Sequence, residues 1–193
     1  MHRQPARVLE AADVSKLLRE VNLQRHHIRN TAIILLSFKA GLRACEIAGL
    51  DWSMVLNSRH QISSQIRIAS YISKSGRGRC IPLHVALRSS LKRLYKASGC
   101  PIVGPVIMSE RGGPMTARSI VNWFGALYRE LGLVGCSSHS GRRTFITRSA
   151  RILAQTGGSL RDIQELAGHR SLTTTERYIA GDRDAQRKLI SLI

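Results

Sequence analysis

A chain of 193 residues, 43% of them hydrophobic, is long enough to bury the core of one large domain or two small ones. Its net charge of +18 points to a polyanionic partner, and the nine basic residues between Asp51 and Glu110 occur without a carboxylate among them. Cysteines 45, 80, 100 and 136 form no C-x-x-C pair, and the apolar run 32–38 is far shorter than the roughly 20 residues of a membrane span. A disulfide framework, a paired-cysteine zinc site and a transmembrane helix are therefore not implied, and the expectation is a soluble, cytoplasmic protein with reduced thiols.

In chain order, residues 1–12 are basic and unpatterned. Asp13 is the expected cap of a helix whose Val14, Leu17, Leu18 and Val21 recur at i, i+3, i+4, i+7. After the polar connection 24–30, Asn30 or Thr31 is expected to open a largely buried helix that ends at Gly41. Arg43 then stands just past a helix end, with Glu46 one turn away on a short helix. From Gln65 to Ile72 the pattern has period two, with Ile66, Ile68 and Ile72 on one side. The turn SKSGRGR and the returning RCIPL complete a β-hairpin that carries Lys74 near its tip. Val85, Leu87, Leu91, Leu94 and Tyr95 mark one face of a helix stopping at Gly99, and CPIVGPVIMS carries a short edge-strand pattern. Thr116 caps a further helix with Ile120, Val121, Phe124, Leu127, Tyr128 and Leu131 facing inward and Gly132 closing it. The rest is helical: about 139–155, one opened by Ser159-x-x-Asp162, and one around Tyr178. The fold class is α+β, mostly helical, with a small antiparallel sheet.

Six residues stand out for their chemistry: Arg43, Lys74, His139, Arg142, His169 and Tyr178. Each has an ordinary reading. Arg43 can be a helix-end cation, Lys74 a solvated turn lysine, either histidine a capping or surface imidazole, and Tyr178 a packed aromatic. Together they supply what metal-free phosphodiester exchange requires. Arginines clamp non-bridging oxygens, a tyrosine hydroxyl attacks phosphorus and keeps the bond as a phosphotyrosine, imidazoles hold or accept its proton, and a lysine protonates the departing alkoxide. No acidic cluster suited to Mg²⁺ is seen in the sequence, so neither metal nor cofactor is expected.

The boxes GLRACEIAGLDW, HSGRRTF and LAGHRSLTTTERYI, with the hairpin lysine between the first and second, resemble the tyrosine recombinases, or phage integrases. The likeness runs through nearly the whole chain. It implies that Arg43 and Arg142 are the arginine clamp, Lys74 the hairpin lysine, His139 and His169 the histidine pair, Tyr178 the nucleophile, and Glu46 the acidic residue that orients the site. Arg77, Arg79, Arg143 and Arg170 are assigned to DNA binding. Gly141 stands where many members have Leu in the H-x-x-R box, and looser packing is expected there.

The resemblance further implies a single catalytic domain over 1–193, with a C-terminal tail over 182–193; in a departure from the family the usual helical core-binding domain is not seen ahead of it, so the expectation is either a minimal form or the catalytic part of a longer protein. Leu189, Ile190, Leu192 and Ile193 in that tail either pack on their own domain or dock on a neighbouring protomer. The implied activity is site-specific recombination or integration through a 3′-phosphotyrosyl intermediate on double-stranded DNA, in a homotetramer aided by accessory DNA-bending proteins. The implied setting is a bacterium, phage or mobile element. Relaxation of DNA in the manner of a type IB topoisomerase, and DNA binding without turnover, are the alternative readings.

Overall fold

The computed structural model describes residues 4–178 and 190–191, so the expected tail lies outside the described residues apart from Ile190 and Ser191. The apolar periodicities become helices. Val14, Leu17 and Val21 share the buried face of α1 (Ala11–Asn22). This helix starts earlier than expected: Glu10 is the cap, and Asp13, in the first turn, accepts the Glu10 N–H at 3.3 Å. Helix α2 (His27–Lys39) likewise begins before Asn30, because its polar first turn adds no apolar period to read. Residues 30–38 are buried on every side, which places α2 at the centre of the fold. Around it pack α1, α4 (Val85–Ala97) and α6 (Ser140–Thr156).

Gly41 ends α2 with φ of +63°, a conformation open to glycine at little cost. It is required spatially as well, since a Cβ there would collide with the Phe145 ring on α6. The chain then enters α3 (Ala44–Ala48), which lies against α5 (Ala117–Glu130). The hairpin pairs β1 (Gln65–Ile68) with β2 (Arg79–Pro82), antiparallel, in the register Ile66↔Ile81 and Ile68↔Arg79. Strand β1 is shorter than expected: residues 70–72 form a 3₁₀ turn, and only Ile66 and Ile68 of the three isoleucines are fully buried. Residues 69–78 therefore form an arm beyond the two-stranded ladder.

Three further expectations are corrected. The segment 100–109 forms no strand; Asp51↔Pro105 and Met108↔Pro114 are isolated bridges, and Ile102 and Val103 are exposed. Pro101 and Pro105 lack the N–H donors that a ladder needs. Val85, in the first turn of α4, is 78% exposed, and Val121 on α5 is 42% exposed, although the other marked residues of both helices face inward to varying depth. As expected, the Thr116 hydroxyl caps α5 by accepting from the Ser119 N–H at 3.1 Å.

The C-terminal elements form a smaller core beside the main one. Helix α7 (Leu160–Ala167) opens on the expected Ser159–Asp162 capping box and is followed by α8 (Leu172–Glu176). Ile146, Ile163 and Ala167 are its buried centre, and Phe145, Leu153, Leu160 and Tyr178 pack around them. No described helix is long and apolar enough to cross a membrane.

Candidate active site

The site begins at a buried carboxylate. Glu46, on α3, is fully inaccessible to solvent. One of its oxygens accepts the Arg43 backbone N–H at 2.9 Å, and the other lies 3.3 Å from the Arg43 guanidinium. The pairing with Arg43 is the one expected from the one-turn spacing. The stronger partner is Arg79, on β2, whose two terminal nitrogens donate to both Glu46 oxygens at 2.8 and 3.0 Å. Burial pushes the Glu46 carboxyl up, and the Arg79 hydrogen bonds and charge, joined by Arg43, more than offset it, so the group stays below the ordinary carboxylate range. The Arg79 Nε donates to the Leu166 carbonyl at 2.9 Å, and its side chain is only 6% exposed. This corrects the assignment of Arg79 to DNA binding: all three donor positions of its fork are committed to protein oxygens, because a buried Glu46 needs a compensating charge.

Arg142 is held just as closely. It donates to the Gly41 carbonyl at 2.7 Å and to the Ala167 carbonyl at 2.5 Å, bridging the end of α2 to the end of α7. Burial first, then repulsion from Arg43, draws its pKa down to about 10, while Glu46 acts in the opposite direction. Close approach of α6 to α2 makes this seat reachable. A Cβ on Gly141 would clash with the Ser37 hydroxyl and lie 2.9 Å from Phe38 Cδ2. The expectation of looser packing at Gly141 is thus reversed: glycine lets the two helices touch.

His169 follows the left-handed Gly168 that ends α7, and it is nearly buried. Its Nδ1 faces the Thr175 hydroxyl at 3.0 Å. Burial, followed by the charges of Arg142, Arg43 and Arg79, lowers its pKa to about 4, so the imidazole is neutral at pH 7. The Tyr178 ring stacks on it with centroids 5.6 Å apart and planes 18° from parallel, and the Arg143 guanidinium lies 5.7 Å from the centre of the same ring. Arg143, expected at DNA, is therefore also a neighbour of the tyrosine.

The structure thus brings Arg43, Glu46, Arg142, His169 and Tyr178 into one electrostatic neighbourhood. His139 is exposed at the start of α6, the helix carrying Arg142, with its Nδ1 3.4 Å from the Ser138 hydroxyl. Lys74 is exposed in the turn 73–76, which is held by a Ser73–Ser75 hydroxyl contact of 2.8 Å and by Gly76 N–H donating to the Ser73 carbonyl. A cleft of about 450 Å³ separates the arm from α7, with Arg77 and Arg79 on one wall and Arg161, His169 and Arg170 on the other. Sequence reasoning missed the Arg79–Glu46 pair and the Thr175 partner of His169. The first joins positions on separate elements with no periodic relation; the second was hinted at only by three consecutive threonines at 173–175.

A model described as the phage integrase family matches residues 7–184. The tyrosine recombinase XerC of Xylella fastidiosa (strain 9a5c) is 30% identical over 152 residues, covering 78% of this chain and 48% of that protein. The XerC of Brucella suis biovar 1 (strain 1330) is 33% identical over 159 residues, covering 80% and 47%. The chain spans about half the length of the curated relatives it matches. Among solved structures, the Tn1549 transposon integrase in complex with transposon right end DNA aligns with a TM-score of 0.76 at 21% identity, covering all of this chain and 67% of that one. The integrase from mycobacterium phage Brujita aligns with a TM-score of 0.62 at 28% identity, covering 97% and 57%. With the boxes in order along the sequence and their side chains gathered around Glu46 and Arg142, the chain belongs to the phage integrase family.

Proposed function

We propose that this chain is a catalytic domain that breaks and rejoins strands of double-stranded DNA through a covalent 3′-phosphotyrosyl bond at Tyr178, in site-specific recombination or integration. One observation carries the reading: Arg43 and Arg79 pair with a single buried carboxylate, Arg142 lies in its field, and burial together with the excess positive charge keeps the adjoining imidazole neutral. Such a site has more cations than anions. A phosphodiester would supply an anion, with Arg43 and Arg142 on the non-bridging oxygens.

In the cleavage step the Tyr178 phenolic oxygen forms a bond to phosphorus while the bond from phosphorus to the 5′ oxygen breaks. The histidine pair, His139 and His169, accepts the phenol proton, and Lys74 donates a proton to the departing 5′ oxygen. Rejoining reverses each transfer, so the step needs no external energy source. Glu46 keeps Arg43 in place, and Arg77 and Arg143 are assigned to the flanking backbone. The relatives' names fit this reading: XerC is called a tyrosine recombinase, and the transposon integrase was solved on DNA. A homotetramer on DNA, with accessory bending proteins, and a bacterial cytoplasm are the finer setting we assign to it.

The test is a nicked suicide duplex. Wild-type protein should form a denaturant-stable DNA adduct that maps to Tyr178, in EDTA as well as in Mg²⁺, and Tyr178→Phe should form none while binding DNA with nearly unchanged affinity. An adduct persisting in Tyr178→Phe sinks the assignment. Absence of any adduct from wild type leaves DNA binding without turnover, and relaxation of plasmids regardless of sequence favours the topoisomerase reading.

A further inference from the structure

The arm that carries Lys74 is fixed unevenly. At its base Arg79 joins Glu46 and the Leu166 carbonyl, and Ile72 packs toward Gly49. Beyond Ile72 the chain has Lys74, Gly76, Arg77 and Gly78 exposed, and the hydrogen bonds within the turn are all local. Among the described residues, the hydrogen bonds that tie this tip to a distant part of the fold come from Arg170. Its Nε and Nη2 both donate to the Ser75 carbonyl, at 3.3 and 3.0 Å.

We infer that Arg170 is a positioning residue for Lys74, docking the hairpin tip onto the segment that bears His169 and Tyr178. This rests on the proposed strand-cleaving function. Arg170 follows His169 directly, and Ser75 follows Lys74 directly, so one backbone carbonyl sets the register between the proton donor and the nucleophile's segment. A tip with two glycines and a long lysine otherwise samples many conformations, each of which withholds the proton from the departing 5′ oxygen. Two of the donor nitrogens of Arg170 are already engaged on protein, on the side facing the arm.

The experiment compares full-length wild type, Arg170→Ala, Lys74→Ala and the double variant on two nicked duplexes, one with the natural bridging 5′ oxygen and one with sulfur there. A thiolate leaves without protonation, so the sulfur duplex bypasses the proton donor. The expected result for Arg170→Ala is adduct formation slowed about tenfold or more on the oxygen duplex and close to wild type on the sulfur duplex. Duplex affinity and its salt dependence should be unchanged, and the double variant no slower than Lys74→Ala. Equal slowing on both duplexes, or no slowing on either, overturns the inference. So does weaker binding with a salt slope reduced by about one, which identifies a phosphate contact. If wild type fails on both duplexes, the fault lies with the strand-cleaving function itself, and the inference falls with it.

Discussion

In the proposed mechanism Arg142 serves two ends at once, and its replacement separates them. Arg142→Ala should slow adduct formation by about 10²–10³-fold, the usual cost of removing one donor from a developing oxyanion. It should also lower stability by about 1–3 kcal/mol, because the Gly41 and Ala167 carbonyls lose their buried donor. Suicide-duplex kinetics and urea unfolding read the two effects. Glu46→Ala is expected to be worse for folding, at about 3–5 kcal/mol, since it strands the nearly buried Arg79 charge. His169 makes stability depend on pH. Its folded pKa of about 4 lies below the unfolded 6.5, so the unfolded chain takes up the proton first as pH falls. The contribution is complete above about pH 6.5 and is lost down to about pH 4, amounting to up to about 3 kcal/mol. Urea midpoints should fall across that window in wild type and fall less in His169→Gln. At this scale the sequence was legible in the grouping of chemically distinctive residues: Arg43, Arg142, His169 and Tyr178 lie together. It was silent where a partner lies far along the chain, as Arg79 does for Glu46 and Gly41 for Arg142.

Helix α6 sets the geometry of the site through its contact with α2. Gly141 meets Ser37 and Phe38 without an intervening Cβ, and Gly41 meets Phe145 in the same way. Gly141→Ala should therefore destabilise by about 1–3 kcal/mol through overpacking and slow cleavage by lifting Arg142 from its seat. Wild-type stability and rate in that variant would show that the helices can part at no cost. The expectation of loose packing failed because a side chain's absence reads the same in sequence whether it leaves a void or allows contact. Element types were otherwise readable from period and caps. Their ends were less so: α2 opens on a polar turn, β1 yields to a 3₁₀ turn, and prolines deny the segment 100–109 its ladder. Val85 and Val121 carried the right period and still lie toward solvent, since a helix face is wider than the surface covering it.

For the molecule as a whole, a charge of +18 predicts steeply salt-dependent binding, with a log–log slope of about −0.9 for each phosphate neutralised on duplex DNA. A titration of affinity between low and physiological salt measures it, and a nearly flat response would mean that the basic surface is not the binding face. The mostly helical architecture with its small hairpin was evident from the sequence; the division into a large core around α2 and a small one around Ile146 and Ile163 was not, because both are built from the same residue types.

The seat of Arg142 also orders events during synthesis. Gly41 emerges early from a ribosome, Arg142 follows only after 101 further residues, and the Ala167 carbonyl 25 residues later still, shortly before Tyr178. A nascent, stalled or proteolytically clipped chain that lacks the last part keeps most of its basic residues but has neither the Ala167 carbonyl that completes the seat of Arg142 nor Tyr178. Under the proposed strand-cleaving function, that order of appearance is a safeguard: unfinished copies carry a basic surface and lack the nucleophile.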